Sequence, residues 1–566
     1  MQIKSILAVT LVGGLVFTSC SKLDGLTADN FTVTPSPLEA VGGQVPVTIN
    51  GRFPEKWMKK KAVVSVTPVL RYAAGETVGQ PATFQGEKVQ GNNQEISYKV
   101  GGNYVMKNNF AYVPDMLQSE LYLTFKARIG KKEVEVPEVL VANGVLSTSE
   151  LLKRSVRSAN PAIGEDAFQY AIAKSQQAQI KYLVNQARVR SSELETVPVQ
   201  EFVEMLREIK ADQKGFQLDN IEVSAYASPE GTLKFNTALA EKRQKSSAEY
   251  VQGQLEDIEL DAYVDERYTA EDWDGFQELV QASNMQDKDV ILRVLSMYQD
   301  PEQREREIRN LSVAFGELAD EILPELRRAR LTINYNIIGR SDDEIEAQYK
   351  ADASKLSVEE LLYFSTFEDG TAFRKDVYST TVKLYPEDYR AYNNLATVAY
   401  AEGDYTLAKK YLEDALKKNP KSQEAHANLA LLALVEGDLE QTQDHLSRAT
   451  EAKNYHEILG NYNVAAGNYV AAAQCFPKTY TNSAALAKIL NKEYADASKI
   501  LSKVSQPDAL TSYLKAITAV RSSQTVNALT YLKEAISKDA SFKKRAAKDL
   551  EFITLFNDSD FQKLVK

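Results

Sequence analysis

Apolar and polar positions alternate along the first part of the chain and then give way to helical spacing. Between Asn30 and about Leu146 the alternation runs through Val45, Val47 and Ile49, then Val64 and Val66, then Ile96, Tyr98 and Val100. It continues through Leu121, Leu123, Phe125, Ala127 and Ile129, and ends at Val134 and Val136. A period of two puts such side chains on one face of a strand. Turn residues separate the runs at Pro35-Ser36-Pro37, Gly42-Gly43, Gly91-Asn92-Asn93 and Gly101-Gly102-Asn103, and Ile129-Gly130-Lys131-Lys132 predicts a hairpin. Further on, Ile180 to Asn185 predicts a strand, and a helix starts at Thr196 with Pro198 in its first turn. That helix carries Val199, Phe202, Val203, Leu206 and Ile209 on one face. Ile221, Val223 and Ala225 alternate again, a turn follows at Ser228-Pro229-Glu230-Gly231, and Leu239, Arg243, Ser246, Ser247 and Tyr250 then mark the packed side of a surface helix. Strand, turn and helix in this order make half of a βαβ unit. Three more helical faces follow, on Trp273, Phe276 and Val280, on Val290, Ile291, Val294 and Leu295, and on Ile308, Leu311, Phe315, Leu318 and Ile322.

The last third repeats itself with a period of about 34 residues. Tyr392, Leu395, Ala396, Ala399, Gly403, Tyr405, Ala408, Leu412, Ala415 and Pro420 form one copy. The next keeps Ala430, Ala433, Gly437, Leu439, Leu446 and Ala449, and a third keeps Gly460, Gly467, Tyr469, Ala472 and Phe476. Weaker copies surround Ala497 and Ala528, and Leu550 to Val565 predicts a capping helix pair. Position by position the first copy resembles the tetratricopeptide repeat. Small residues let paired helices approach closely, and the pairs stack into a solenoid with a concave groove. The resemblance implies a protein or peptide partner in that groove, with Asn393, Asn394, Thr397, Asn428 and Leu431 on the first helices as contacts. Paired asparagines in this fold often hold a peptide backbone through their amides.

In the middle region Gly231, Asn236, Leu239 and Arg243 fall at the spacing of the OmpA-like C-terminal domain family, and Arg327 to Tyr335 resembles its closing strand. The resemblance covers roughly Ile180 to Ile337. It implies a sheet with helices on one side, interrupted here by the helical insertion, and a peptidoglycan-type pocket at Ser228, Asn236 and Arg243. Ser228 stands where the family carries the aspartate that meets an ammonium, so one half of that clamp is missing. The segments AEDWDGF, PELRRARL and ASPEG are similar to an OmpA-like subgroup found beside fimbrial and adhesin components in Bacteroidota-type bacteria.

At the start, Lys4 precedes an apolar run from Ile6 to Phe17, too short to span a bilayer, and Thr18-Ser19-Cys20 follows. This resembles a bacterial lipoprotein signal, which implies diacylglycerol and an acyl chain on Cys20; a plain signal peptide cut near Ser19 is the alternative. Each buried methylene contributes ~0.8 kcal/mol, so three chains would hold the protein on a membrane without a spanning helix. Ser21 after the cysteine implies sorting to the outer membrane, with the periplasmic face expected. Cys475 is the only other cysteine, so once Cys20 is acylated no disulfide forms within the chain.

The 566 residues carry a net charge of −11, and a chain this acidic lacks the basic face that nucleic acid or an anionic membrane surface requires. His426, His445 and His456 are the only histidines and no repeat position recurs among them, so neither a metal site nor a histidine-dependent nucleophile is expected. No phosphate-binding or dinucleotide motif is present, and no cofactor is expected. The fold class expected is multidomain α+β: signal peptide 1–19, lipid-anchored linker 20–29, an immunoglobulin-like β-sandwich over 30–146, an OmpA-like α/β sandwich over 165–339, and an all-α repeat solenoid over 355–566. The function expected is a non-catalytic envelope scaffold in the outer membrane. The resemblances also leave open an accessory anchor for surface fimbriae or adhesins, and a peptidoglycan tether.

Overall fold

The alternating segments of the first 146 residues fold into sheets. The computed structural model describes residues 22–229, 231–285, 287–310, 316 and 318–566; the signal segment, Cys20, Glu230, Leu311 and Phe315 lie outside them. The strands are β1 (Phe31–Thr34), β2 (Leu38–Glu39), β3 (Gln44–Phe53), β4 (Ala62–Tyr72), β5 (Gly75–Val78), β6 (Ala82–Gly86), β7 (Gln94–Ile96), β8 (Gly102–Ala111), β9 (Ser119–Ile129), β10 (Lys132–Val134), β11 (Val139–Asn143) and β12 (Val145–Leu146). One sheet runs β1-β3-β8, and a seven-stranded one runs β10-β9-β4-β6-β7 with β11 on β9 and β5 on β4. Val45, Val47, Ile49 and Met106 of the first sheet share one core with Val64, Val66, Leu121 and Leu123 of the second. The strand expected to reach Val100 ends at Ile96, because Gly101 turns the chain with φ +74° and leaves Val100 exposed.

The chain divides into two compact units, Met1–Glu165 with Ser365–Lys566, and Asp166–Phe364. Between the β layers and the second unit the first unit continues through a 3-10 turn at Thr148–Leu151 and the short helix α1 (Leu152–Arg157).

The second unit contains β13 (Ala171–Lys181), α2 (Val197–Ala211), β14 (Phe216–Tyr226), α3 (Leu233–Asp257), β15 (Val264–Thr269), α4 (Trp273–Ala282), α5 (Lys288–Met297), α6 (Pro301–Asn310), β16 (Arg328–Ile338), α7 (Asp342–Asp352) and α8 (Val358–Phe364). Its sheet has the order β13-β16-β14-β15, with β14 and β15 parallel and the other neighbours antiparallel. Phe202 and Leu206 of α2 and Val251 and Leu255 of α3 bury the apolar face of Ile180, Ile221, Val223, Leu331 and Ile333. The insertion has a core of its own around Phe276, Val280, Ile291, Leu295 and Leu318, while Val290 is exposed. Two expectations are corrected here. The first strand runs Ala171–Lys181 and not 180–185: its N-terminal half exposes both faces, so no alternation marks it, and Asn185 with φ +56° lies past its end. Residues 355–364, assigned from sequence to the repeats, belong to this unit, where Glu360 pairs with Arg340 at 2.8 Å and Tyr363 stacks on Phe168.

The first unit resumes as helices: α9 (Thr371–Leu384), α10 (Tyr389–Ala401), α11 (Tyr405–Lys418), α12 (Gln423–Glu436), α13 (Leu439–Leu446), α14 (Tyr455–Ala465), α15 (Tyr469–Gln474), α16 (Asn482–Leu490), α17 (Tyr494–Leu501), α18 (Ala509–Arg521), α19 (Thr525–Lys538), α20 (Ser541–Ala546) and α21 (Ser559–Val565). Asp388, Asp404, Ser422 and Asp438 cap the N-termini of α10 to α13, and Gly403, Gly437 and Gly467 close α10, α12 and α14 with φ near +80°. Sequence drew the β layers and the repeats as separate domains. They share one unit because the segment from Ser147 to Glu165 runs between them and contributes Leu151, Leu152, Val156 and Ala162 to the repeats' own core.

Candidate functional site

The first helices of two successive repeats, α10 and α12, carry asparagines at the same repeat position, Asn394 and Asn428, each nine residues before the closing glycines Gly403 and Gly437. These two equivalent residues form a short ladder of carboxamides, joined on α10 by Asn393. The ladder grips a peptide. Asn428 Oδ1 accepts from Ala162 N at 2.7 Å, while Asn428 Nδ2 and Asn393 Nδ2 donate to Ala162 O at 2.8 and 3.0 Å. Two residues along, Asn394 Oδ1 accepts from Gly164 N at 2.8 Å and its Nδ2 donates to Gly164 O at 2.9 Å. The amides also bond one another, Asn428 to Asn393 at 3.0 Å and Asn393 to Asn394 at 3.1 Å. Such a closed network fixes the rotamer of each member.

The peptide held in this way is the chain's own linker. Gly164 sits so close to α10 that a Cβ there would meet Arg390 Cβ at 2.9 Å. Arg390 donates to the carbonyl of Glu165, and Lys453 pairs with the Glu165 carboxylate. Asn454 Nδ2 donates to Asn160 O at 3.2 Å. Upstream, α1 packs on α12, α14 and α16, and Tyr400 donates its hydroxyl to Val156 O at 2.5 Å. Of the other residues singled out from sequence, Thr397 is half-buried with its hydroxyl on Asn394 O of its own helix, and Leu431 is fully buried in the core.

Asn461 on α14 is not among the residues the repeat pattern singles out, since it lies six residues and not nine before its closing glycine, Gly467. Its carboxamide is fully buried, and both of its polar atoms lack a hydrogen-bond partner among the described residues. The linker has no regular secondary structure at Ala162 and Gly164 but is helical from Leu152 to Arg157, and a helix bonds its main chain internally. Asn394 and Asn428 therefore find main-chain partners on the linker, and Asn461, beside the helical part, does not.

At the upstream end of the linker a buried polar cluster ties the β layers to the last helices. Ser149 donates to Ala40 O at 2.8 Å and Arg545 to Ser147 O at 3.0 Å. Thr148 bonds Glu551, which also takes both arms of Arg521 at 2.7 and 2.8 Å. Tyr513 donates to Asp549 at 2.7 Å; burial pushes that carboxyl above its usual range, and the Arg545 charge opposes the shift.

The second candidate site lies at the β14–α3 turn. Thr232 caps α3 by accepting from Phe235 N, and Asn236 and Arg243 follow two turns apart. Arg243 is 1% exposed and gives Nε to Gln186 O at 3.0 Å, Nη1 to Tyr226 O at 2.8 Å and Nη2 to Leu183 O at 3.3 Å. Its guanidinium lies 5.1 Å from the Tyr182 ring. Asn236 donates to Gly231 O at 3.0 Å, and Ser228 is buried in the turn. The structure thus brings the three residues to one turn and helix end, with Arg243 knitted to backbone carbonyls.

His426 and His445 meet with their Nδ1 atoms 3.1 Å apart, and His426 Nε2 lies 3.1 Å from Pro420 O. The carbonyl only accepts, so His426 carries its proton on Nε2 and accepts from His445 at Nδ1. Among the described residues no group of three or more His, Cys, Asp or Glu side chains converges as a metal site would require. No helix there is long and apolar enough to cross a membrane.

The tetratricopeptide repeat family matches residues 375–408 and 393–441. The C-terminal region therefore carries tetratricopeptide repeats. Among solved structures the chain is similar to a tetratricopeptide repeat protein from Parabacteroides merdae at 16% identity, over 40% of this chain and 89% of that one, with a TM-score of 0.29. It is also similar to the APC/C hetero-tetramer Cut9–Hcn1 at 13% identity (59% and 71% covered, TM-score 0.27), and to yeast Tom70 at 11% identity (66% and 86% covered, TM-score 0.25). No curated protein sequence matches the chain.

Proposed function

We propose that the chain is a non-catalytic scaffold of a bacterial cell envelope, anchored in the outer membrane through acylated Cys20, whose repeats grip polypeptide and grip first their own linker. The observation that carries this reading is the asparagine clamp on Ala162 and Gly164. Carboxamides bonded to main-chain N–H and C=O groups read no side chain, so the grip suits polypeptide as a class. Partner proteins then meet the faces that the linker leaves open, where Val470 on α15 and Val526 on α19 stand exposed.

Growth with labelled palmitate is expected to mark the chain and to leave Cys20→Ala unmarked and released from the membrane fraction. An unlabelled wild-type chain, or a Cys20→Ala chain that stays on the membrane, overturns the anchored scaffold. A photo-reactive side chain at Val526 in the anchored protein is expected to cross-link to another envelope protein.

A further inference from the structure

The sheet of the second unit ends in two edges of opposite character. β15 is six residues long and carries Asp265, Glu266 and Arg267 in succession, the charged and short edge by which proteins discourage strand addition. β13 has eleven residues, pairs with β16 over all of them without a bulge, contains no proline and has lysines alone as charges. Ala171, Ile172, Ala173, Lys174, Ser175, Gln177 and Gln179 are all exposed.

The hydrogen bonds at its two ends show which main-chain groups face outward. Gly339 N donates to Tyr170 O and Tyr182 N to Arg327 O, so the even residues turn toward β16. Lys181 turns the other way: its N donates to Glu193 at 3.2 Å, and its carbonyl accepts from Arg190 at 3.4 Å. N–H and C=O of one residue point to the same side and alternate along an antiparallel strand. Ala171, Ala173, Ser175, Gln177 and Gln179 therefore hold their main-chain donors and acceptors outward. Only Lys181, the next in that series, is capped by side chains.

We propose that this edge pairs with β13 of a second copy, antiparallel about a two-fold axis at Ser175. In that register Ser175 faces Ser175, Ala173 faces Gln177 and Ala171 faces Gln179, which uses every uncapped outward residue and stops before Lys181. On the other face Ile172 meets Ala178, and Lys174 meets Gln176. No like charges oppose, and the exposed Ile172 gains an apolar neighbour. Self-complementarity about one residue is what a two-fold interface demands, and it favours a second copy over an unrelated extended peptide. The two sheets become one eight-stranded sheet bounded at both ends by the charged β15.

Sedimentation equilibrium of the chain lacking its first twenty residues is expected to show a reversible dimer. Ser175→Pro removes an outward N–H and leaves the bonds to β16 in place, and it is expected to abolish the dimer. Should that variant fold poorly, Ser175→Lys sets like charges across the axis and is expected to weaken dimerisation several-fold. With Cys475→Ser as background, Ser175→Cys is expected to form a disulfide-linked dimer under mild oxidation, and Gln177→Cys, which faces Ala173, is expected to dimerise without forming one. A wild-type chain that is monomeric at every concentration overturns the proposal. So does a dimer indifferent to Ser175→Lys, or cross-linking through Gln177→Cys as fast as through Ser175→Cys.

Discussion

The repeat groove and the β14–α3 turn offer the same chemistry, polar side chains set to bind a ligand, and both spend it on this chain's own carbonyls. They differ in what accepts the bonds. In the groove the acceptors are Ala162 and Gly164, two residues of a linker that lies on the helices without being part of them. At the turn the acceptors of Arg243 are Leu183, Gln186 and Tyr226, which belong to the strand ends and loop of the sheet that α3 packs on. The first arrangement can be emptied while the repeats stay folded, whereas the second cannot be opened without loosening the sheet. A groove that grips its own chain is thus a binding site in use, and a buried arginine among carbonyls is a rivet.

The largest effect is expected from breaking the groove. Replacing Asn393, Asn394 and Asn428 together by alanine removes five bonds to the linker backbone and leaves buried N–H and C=O groups unpaired, at a cost of about 1–3 kcal/mol for each group left dry. A loss of several kcal/mol is expected in denaturant unfolding, with new protease cleavage between Ser158 and Glu165. A fluorescent peptide of residues 158–166 is expected to bind the intact chain poorly and to gain affinity when Gly164→Ala drives the linker against Arg390. Unchanged protection of the linker in the triple variant would show that α1 alone seats it.

Arg243→Ala comes next. It strips three carbonyls of their donor and is expected to cost about 2–4 kcal/mol, seen as earlier melting of the second unit by hydrogen exchange in β14. If stability holds and binding to purified sacculi falls instead, the guanidinium serves a ligand and the contrast between the two sites disappears.

The sequence disclosed the presence of the repeats but not where they start, because the closeness of paired helices forces small residues into fixed places such as Ala396, Gly403 and Ala408 while the turn into the first helix has no such marker. It disclosed the asparagines for the same reason, since the period carries Asn394 onto Asn428. The occupant of the groove stayed hidden. In Ser147 to Glu165 only Leu151, Leu152 and Val156 keep a helical phase, the clamped residues are small, and recognition goes through main-chain atoms that every residue has. β13 was half-read for a related reason: Ile180 and Ala178 face the helices, but Ala171 to Gln177 are solvated on both faces and lack the polar and apolar rhythm that marks a strand. Arg243 could be placed on its helix from spacing, yet spacing does not say whether a guanidinium meets a ligand or a loop.

A smaller effect is expected from acid. His445 is held below the ordinary imidazole value, first by burial and then by His426, with Arg448 and Lys409 adding to the shift and Asp444 opposing it. A base whose folded value is depressed takes up its proton more readily when unfolded. Stability is therefore complete above the unfolded value of about 6.5 and is lost as pH falls below it, until His445 protonates in the fold. Denaturant midpoints between about pH 8 and 5 are expected to fall on this limb and to flatten in His445→Gln. An unchanged slope in that variant would assign the limb to other groups.

The smallest effect is the most telling about the groove. Asn461 already bears the cost of an unpaired buried amide, so Asn461→Leu removes no bond to a described residue and is expected to be neutral or to stabilise by up to ~1 kcal/mol. The same change at Asn428 breaks bonds to both main-chain groups of Ala162 and is expected to destabilise. Opposite signs at Asn461 and Asn428 would locate the end of the grip between the second repeat and the third, where the linker passes into α1. Equal losses at both positions would mean instead that the Asn461 amide is also held, through an ordered water, and that the grip reaches the third repeat.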